Sequence, residues 1–256
     1  MRAEIEPAAI TGGEITEDRI LGGQLALRQP AAGYRVGIDP VFLAAAAPLR
    51  PGGLALDLGC GVAAAALCLA RRQPSLRVLG LELQTALAEL GATNAALNHL
   101  AERVRILQGD LLRPPPEVAF GAFDLVLANP PFHLAGHASV PVDVSRARGH
   151  MEGEADLAAW IDRGLSFASA RGVLVMIHKP ERLGEILAGL EGRAGAIAIF
   201  PLWPSGDQPA RRILVRAIKG SAAATTLHPG LVLHDADGRY SLEAEAVLRG
   251  GGSLEI

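Results

Sequence analysis

The sequence predicts an α/β fold: a seven-stranded mixed sheet with helices on both faces and a small N-terminal β/α extension. Three observations lead there. Short apolar runs alternate with helix-like stretches from Pro51 onward, the pattern of a sheet covered on both sides. Several of these runs stop at glycines or at acidic residues, so their polar ends fall along one rim. Only Trp203–Ala210 separates the last two runs, too few residues for a parallel crossover, so these strands must pair antiparallel.

In chain order, Ile20–Val36 reads as a hairpin-like stretch punctuated by Gly22, Gly23 and Gly33. Asp39 and Pro40 then open a helix, with Asp39 as N-cap and Pro40 in the first turn. Leu54–Gly59 suits a buried strand, and Val62–Arg72 a helix rich in Ala and Leu, stopped by Pro74. Strands follow at Arg77–Glu82, Val104–Gln108 and Phe123–Ala128, with a helix at Thr85–Leu100. Pro114, Pro115 and Pro116 keep Leu112–Glu117 out of any regular element. A helix over Ala155–Phe167 leads to a strand at Gly172–His178, a helix at Glu181–Leu190, and strands at Ala196–Leu202 and Arg212–Ile218. Leu231–His234 and Arg239–Ser241, joined at Asp237-Gly238, suggest a small hairpin before a short helix. Residues 1–50 are thus expected to form an extension, 51–220 the core, and 221–256 an appendage of the same domain.

Composition narrows the function classes. The chain has 256 residues, 50% of them hydrophobic, which excludes a disordered protein. The longest apolar runs, Val41–Leu49 and Val62–Ala70, are too short to cross a bilayer, and no basic start precedes an apolar segment of signal-peptide type. Cys60 and Cys68 match neither a disulfide framework nor a zinc spacing, so a cytoplasmic protein is expected. A net charge of −3 means that any nucleic-acid contact must come from a local patch.

The strongest local signal is Asp57, Gly59 and Gly61 between a strand and a helix. Glycines there let the backbone turn sharply and approach a ligand beside the free N–H groups of a helix N-terminus. Glu82 and Asp110 close the next two strands, placing three acidic groups along the edge where open α/β sheets bind ligands. A carboxylate there can accept two hydrogen bonds from a ribose diol. Gly59–Ala64 satisfies the G-x-G-x-x-A form of the dinucleotide fingerprint, with Glu82 near the expected offset. S-adenosylmethionine fits as well. It needs an acidic residue just before the glycines and another after the third strand, and Asp57 and Asp110 stand at those places.

Asn129, Pro130, Pro131 and Phe132 after the fourth strand favour the second cofactor. An exocyclic base amine has a delocalised lone pair, and methylating it requires acceptors that hold its N–H groups while the lone pair faces the methyl. Asn129 offers its side-chain oxygen, Pro130 its carbonyl held by the proline pair, and Phe132 a stacking face. A rigid turn alone would also use Asn-Pro. The scheme needs no general base, since the proton can leave after transfer.

These motifs resemble the class I S-adenosylmethionine-dependent methyltransferases of the small type, and more narrowly the bacterial family that N6-methylates an adenine in the anticodon loop of a valine tRNA. The resemblance runs through Glu17-Asp18, Leu21–Gly23, Gly33–Asp39, Asp57–Gly61, Glu82, Asp110, Asn129–Phe132 and Asp237–Tyr240. It implies a Rossmann-like core in which Asp57, Gly59 and Gly61 hold the methionine part of the cofactor. Glu82 would hold the ribose, with Asp110 and Leu111 near the adenine. Gly37 and Asp39 would belong to a segment closing over the cofactor, and Asn129–Phe132 would hold the target amine. Ala63 departs from the family, which often has a third glycine there. Asn129–His133 also resembles the ending of guanine-N2 ribosomal RNA methyltransferases. Protein glutamine N5-methylation uses the same acceptors, and a module that binds cofactor or RNA without transfer is a further alternative.

Other signals weigh less. His133 and His137 share a helical spacing but lack a nearby carboxylate, so no metal is expected. Arg146, Arg148 and His150 lie in a polar loop that can meet RNA phosphates or simply be solvated. Alternation can place Arg212 and Arg216 on one strand face, and an exposed edge strand guarded by charge explains them equally well. Cys60, Trp160 and Trp203 read as packing residues.

Overall fold

The computed structural model describes residues 14–32, 35–48, 52–132 and 155–256. A hairpin of β1 (Ile15–Ile20) and β2 (Leu25–Pro30) precedes α1 (Asp39–Ala45). The central sheet is built from β3 (Leu54–Leu58), β4 (Arg77–Glu82), β5 (Val104–Gln108), β6 (Phe123–Ala128), β7 (Ala168–His178), β8 (Ala194–Trp203) and β9 (Arg212–Lys219). It is flanked by α2 (Ala64–Arg72), α3 (Thr85–Leu97), α4 (Leu157–Phe167) and α5 (Leu183–Leu190). The short strands β10 (Thr226–Leu227) and β11 (Leu231–Val232) precede α6 (Leu242–Leu248).

The main path across the sheet is β10-β8-β9-β7-β6-β3-β4-β5, with β11 also on β8. β3 to β7 run parallel, β9 is antiparallel to both its neighbours, and β10 and β11 lie parallel to β8. All seven expected strands are present, and the two short additions bring the sheet to nine. Alternation divides the core between two faces. Ala55, Leu125, Leu127 and Val175 pack with α1 and α2 on one side. Leu56, Leu58, Val126 and Met176 pack with α4 and α5 on the other.

Several local expectations are corrected. The hairpin begins at Ile15 rather than Ile20. Ile38, not Asp39, is the N-cap of α1, and no side chain caps that end; the Asp39 carboxylate is turned to Arg212 instead. The expected C-terminal hairpin reduces to a single His234–Tyr240 bridge, because Leu231–Val232 pairs with β8. The edge-strand reading of Arg212 and Arg216 falls: β9 lies inside the sheet between β7 and β8.

The hairpin is fastened by two asparagines that imitate a neighbouring strand. Asn94 Oδ1 accepts from Arg28 N (2.7 Å), and its Nδ2 donates to Arg28 O (2.9 Å) and Val62 O (3.0 Å). Asn98, one turn further along α3, accepts from Ala26 N (2.9 Å) and donates to Ala26 O (2.7 Å). The strand-edge groups of β2 are thereby paired, and the glycine loop is tied to the hairpin through Val62. Gln29 accepts from Val36 N at 2.8 Å, and Arg35 reaches Asp18 at 2.8 Å, which holds the segment approaching Gly37 and Asp39 against the same hairpin.

Candidate active site at the carboxyl rim

Register brings the strand ends level. Leu58 pairs with Leu81 on one side and Ala128 on the other, so Gly59 stands between Glu82 and Asn129. Glu82 pairs with Gln108, which places Asp110 just beyond on the next strand. The sequence-expected set Asp57, Gly59, Gly61, Glu82, Asp110, Leu111 and Asn129–Phe132 therefore shares one rim.

The three carboxylates are held by their own backbone. Asp57 Oδ2 accepts from Ala66 N in the first turn of α2 at 2.9 Å. Glu82 accepts from Gly61 N through Oε2 and from Gln84 N through Oε1, both at 2.8 Å. Asp110 Oδ1 accepts from Leu112 N at 2.8 Å. Burial pushes Asp57 up to about 7, against the Ala66 bond and helped by the charge of Glu82. Burial likewise raises Glu82.

The loop between β3 and α2 uses left-handed backbone at Gly59 (φ 68°), Gly61 (φ 56°) and Ala63 (φ 69°). A side chain on Gly59 would collide with the Trp160 ring at 2.3 Å, so the absent Cβ lets α4 press onto the loop. Trp160 does pack, as expected, but it packs on the cofactor-type loop rather than in a remote core. A Cβ on Gly61 would meet no protein atom within 4 Å, so this glycine keeps the loop open on that side. Ala63 takes the conformation glycine would take. Its fully buried methyl faces Gly91 of α3, where an added Cβ would lie 3.4 Å away. The departure at Ala63 is thus accommodated by a glycine on the neighbouring helix.

The other half of the rim is less satisfied. Among the described residues Asn129 Oδ1 and Trp160 Nε1 are buried without a hydrogen-bond partner, while the buried His178 ring faces the Pro131 backbone. His178 ends β7, accepts from Lys179 N through Nδ1 at 2.8 Å, and meets the Phe132 ring edge-on at 5.3 Å. Burial, aided by the positive charge of Arg182, holds its ring neutral with a pKa lowered to about 4. Arg212 lies over the Phe132 ring, 4.4 Å from guanidinium carbon to centroid, and its Nε meets Asp39 Oδ2 at 2.8 Å. Sequence reading missed His178 and undervalued Arg212. His178 could have been found by the rule that identified Glu82, since it too closes a strand at this rim.

Arg146, Arg148, His150, His133 and His137 lie outside the described residues. Among the described residues no group of His, Cys, Asp and Glu is arranged to hold a metal, and no helix is long and apolar enough to cross a membrane.

Residues 38–155 match the family model of the methyltransferase small domain. The chain is 32% identical over 225 residues to the tRNA1(Val) (adenine(37)-N6)-methyltransferase of Porphyromonas gingivalis, covering 84% of this chain and 87% of that one. It is 28% identical over 212 residues to the protein of that name from Yersinia pestis, covering 82% and 83%. Among solved structures, a predicted O-methyltransferase from Agrobacterium tumefaciens aligns with a TM-score of 0.70 at 24% identity, covering 85% of this chain and 98% of that one. That likeness concerns the fold alone. The chain belongs to the methyltransferase small-domain family and is an S-adenosylmethionine-dependent methyltransferase.

Proposed function

We propose that the chain methylates an exocyclic amine of RNA, specifically N6 of an adenine in tRNA. The observation that carries this reading is the orphaned Asn129 Oδ1 at the end of β6, beside the glycine loop. A buried acceptor without a donor costs about 1–3 kcal/mol, a cost a protein carries where a ligand donor completes the bond. An amine N–H is such a donor.

The residues present suit the cofactor. Asp57 and the open side of Gly61 would hold its methionine part, Glu82 the ribose, and Asp110 with Leu111 the adenine, with Gly37 and Asp39 on the closing side. The Glu82 oxygens each have more than one lone pair, so accepting from Gly61 and Gln84 leaves room for hydroxyl donors. When bound, S-adenosylmethionine supplies a methyl on a positively charged sulfur.

The chain's own work is positioning. Asn129 Oδ1 and the Pro130 carbonyl hold the two N–H groups of the amine, turning its lone pair toward the cofactor side of the rim. Phe132 supports the base plane, and the proton leaves to solvent after transfer. The choice of adenine N6 in tRNA draws on the names of the 32% and 28% identical relatives.

The test is nucleoside mass spectrometry of tRNA and rRNA from strains with and without the gene, paired with methylation of an unmodified valine tRNA transcript in vitro. Appearance of N6-methyladenosine supports the reading. N2-methylguanosine in rRNA would move the assignment to guanine. Cofactor binding without transfer to any RNA would refute it.

A further inference from the structure

The antiparallel course of β9 has a topological consequence. β3 to β7 bring their last residues to the rim, whereas β9 brings its first: Ile213 pairs with His178, so Arg212 arrives beside the end of β7. There it touches both halves of the candidate site. Its Nε meets Asp39 at the head of α1, and its guanidinium lies over the Phe132 ring, which meets the His178 ring at 80° with 5.3 Å between centroids. Both charged side chains are largely shielded, with 28% of the Arg212 side chain and 16% of that of Asp39 exposed.

We propose that Arg212 is a positioning residue that fixes Phe132 for stacking on the target base; this rests on the RNA-amine reading above. The guanidinium occupies one ring face, so a base can use only the other, and the ring cannot tilt without giving up its cation contact. The Asp39 carboxylate in turn holds the guanidinium over the ring and links the segment Gly37–Asp39 to the base-side turn. The planar fork of arginine serves both contacts at once, which a lysine ammonium does not.

A competing role for an arginine near an RNA site is a direct phosphate contact, and the two roles separate experimentally. The protein is full-length, and the RNA is a tRNA transcript carrying 2-aminopurine at the target adenine. Binding to wild type should change the probe's fluorescence by stacking; Phe132→Ala should lose that change, and Arg212→Met should lose at least half of it. With unlabelled tRNA, Arg212→Met should lower kcat roughly 10- to 100-fold. Its salt dependence of tRNA binding should stay that of wild type. Arg212→Lys should recover only part of the loss. In a Phe132→Ala background the Arg212→Met change should have no further effect on kcat.

A salt slope reduced by about one would make Arg212 a phosphate contact and overturn the proposal. An undiminished effect in the Phe132→Ala background, or an unchanged 2-aminopurine signal in Arg212→Met, would also overturn it. If wild type leaves tRNA adenine unmethylated, the parent reading fails and the stacking role falls with it. Full activity of Arg212→Met beside an active wild type refutes the role of Arg212 alone.

Discussion

On the β3–β4–β5 half of the rim, each candidate carboxylate accepts a backbone N–H of its own chain: Asp57 from Ala66, Glu82 from Gly61 and Gln84, Asp110 from Leu112. On the β6–β7 half, among the described residues, Asn129 Oδ1 is buried without a partner, as is Trp160 Nε1 on the intervening helix. The first half holds its shape with its own bonds, and removing those bonds costs stability. The second half carries unmet polar groups, so substitutions there should damage function while leaving stability unchanged or improved.

The largest expected effect comes from Asn129→Ala. On the proposed role of Asn129 in holding the amine, its loss should lower turnover roughly 100- to 1,000-fold, comparable to removing one transition-state hydrogen-bond partner. Because no protein partner is lost, the melting temperature should not fall, and cofactor affinity should change little. A tritiated-methyl assay, calorimetry and thermal unfolding check the three quantities; a marked drop in melting temperature would break the contrast between the halves.

Next comes Asn94→Ala, on the self-bonded side. It leaves the Arg28 N–H and C=O and the Val62 carbonyl without their partner at one stroke. The expected loss is about 1–3 kcal/mol, as the buried Val62 carbonyl and the part-buried Arg28 groups go unpaired. Denaturant unfolding measures it, and hydrogen exchange should show β2 opening before the central strands.

Such bonds explain what sequence reading could and could not reach. Arg77–Glu82, Val104–Gln108 and Phe123–Ala128 were legible to the residue because buried strands are continuous apolar runs with polar or glycine ends. The carboxylates at those ends could be placed on one rim for the same reason. Arg212 could not, since its partner Asp39 is 173 residues away and nothing local distinguishes it from a surface charge. The Asn94 clamp spans 66 residues and likewise has no local signature. β10 and β11 are two residues each, too short for any periodicity to register.

A smaller effect is expected at Asp57, where pH gives the sign. Burial raises its folded pKa to about 7, above the ordinary carboxylate value, so the folded state binds the proton more tightly between those values. The associated stability is present at low pH and is lost as pH rises toward 7. Asp57→Asn removes the buried charge yet keeps an acceptor for Ala66 N. Its melting temperature relative to wild type should therefore be more favourable at pH 8 than at pH 5. On the proposed role of Asp57 in holding the methionine part of the cofactor, affinity should fall in the same variant. Thermal unfolding at both pH values and calorimetry at pH 8 read the two effects.

The smallest effect sharpens the comparison within the glycine loop, through Ala63→Gly and Gly61→Ala. Glycine at position 63 relieves a left-handed alanine worth about 1–2 kcal/mol. It also frees the unfolded chain by about 0.4–1 kcal/mol and gives up a buried methyl worth about 0.8 kcal/mol. These terms nearly cancel, so stability should shift by less than about 1 kcal/mol. Cofactor affinity should stay put, because the methyl faces Gly91 inside the protein. Gly61→Ala introduces one methyl at φ 56° with no protein atom within 4 Å of it. It should cost the fold the same left-handed-alanine strain, about 1–2 kcal/mol, and should weaken cofactor Kd as well, which Ala63→Gly should not. Equal affinity losses in the two variants would mean that the open side of Gly61 is not where the cofactor lies.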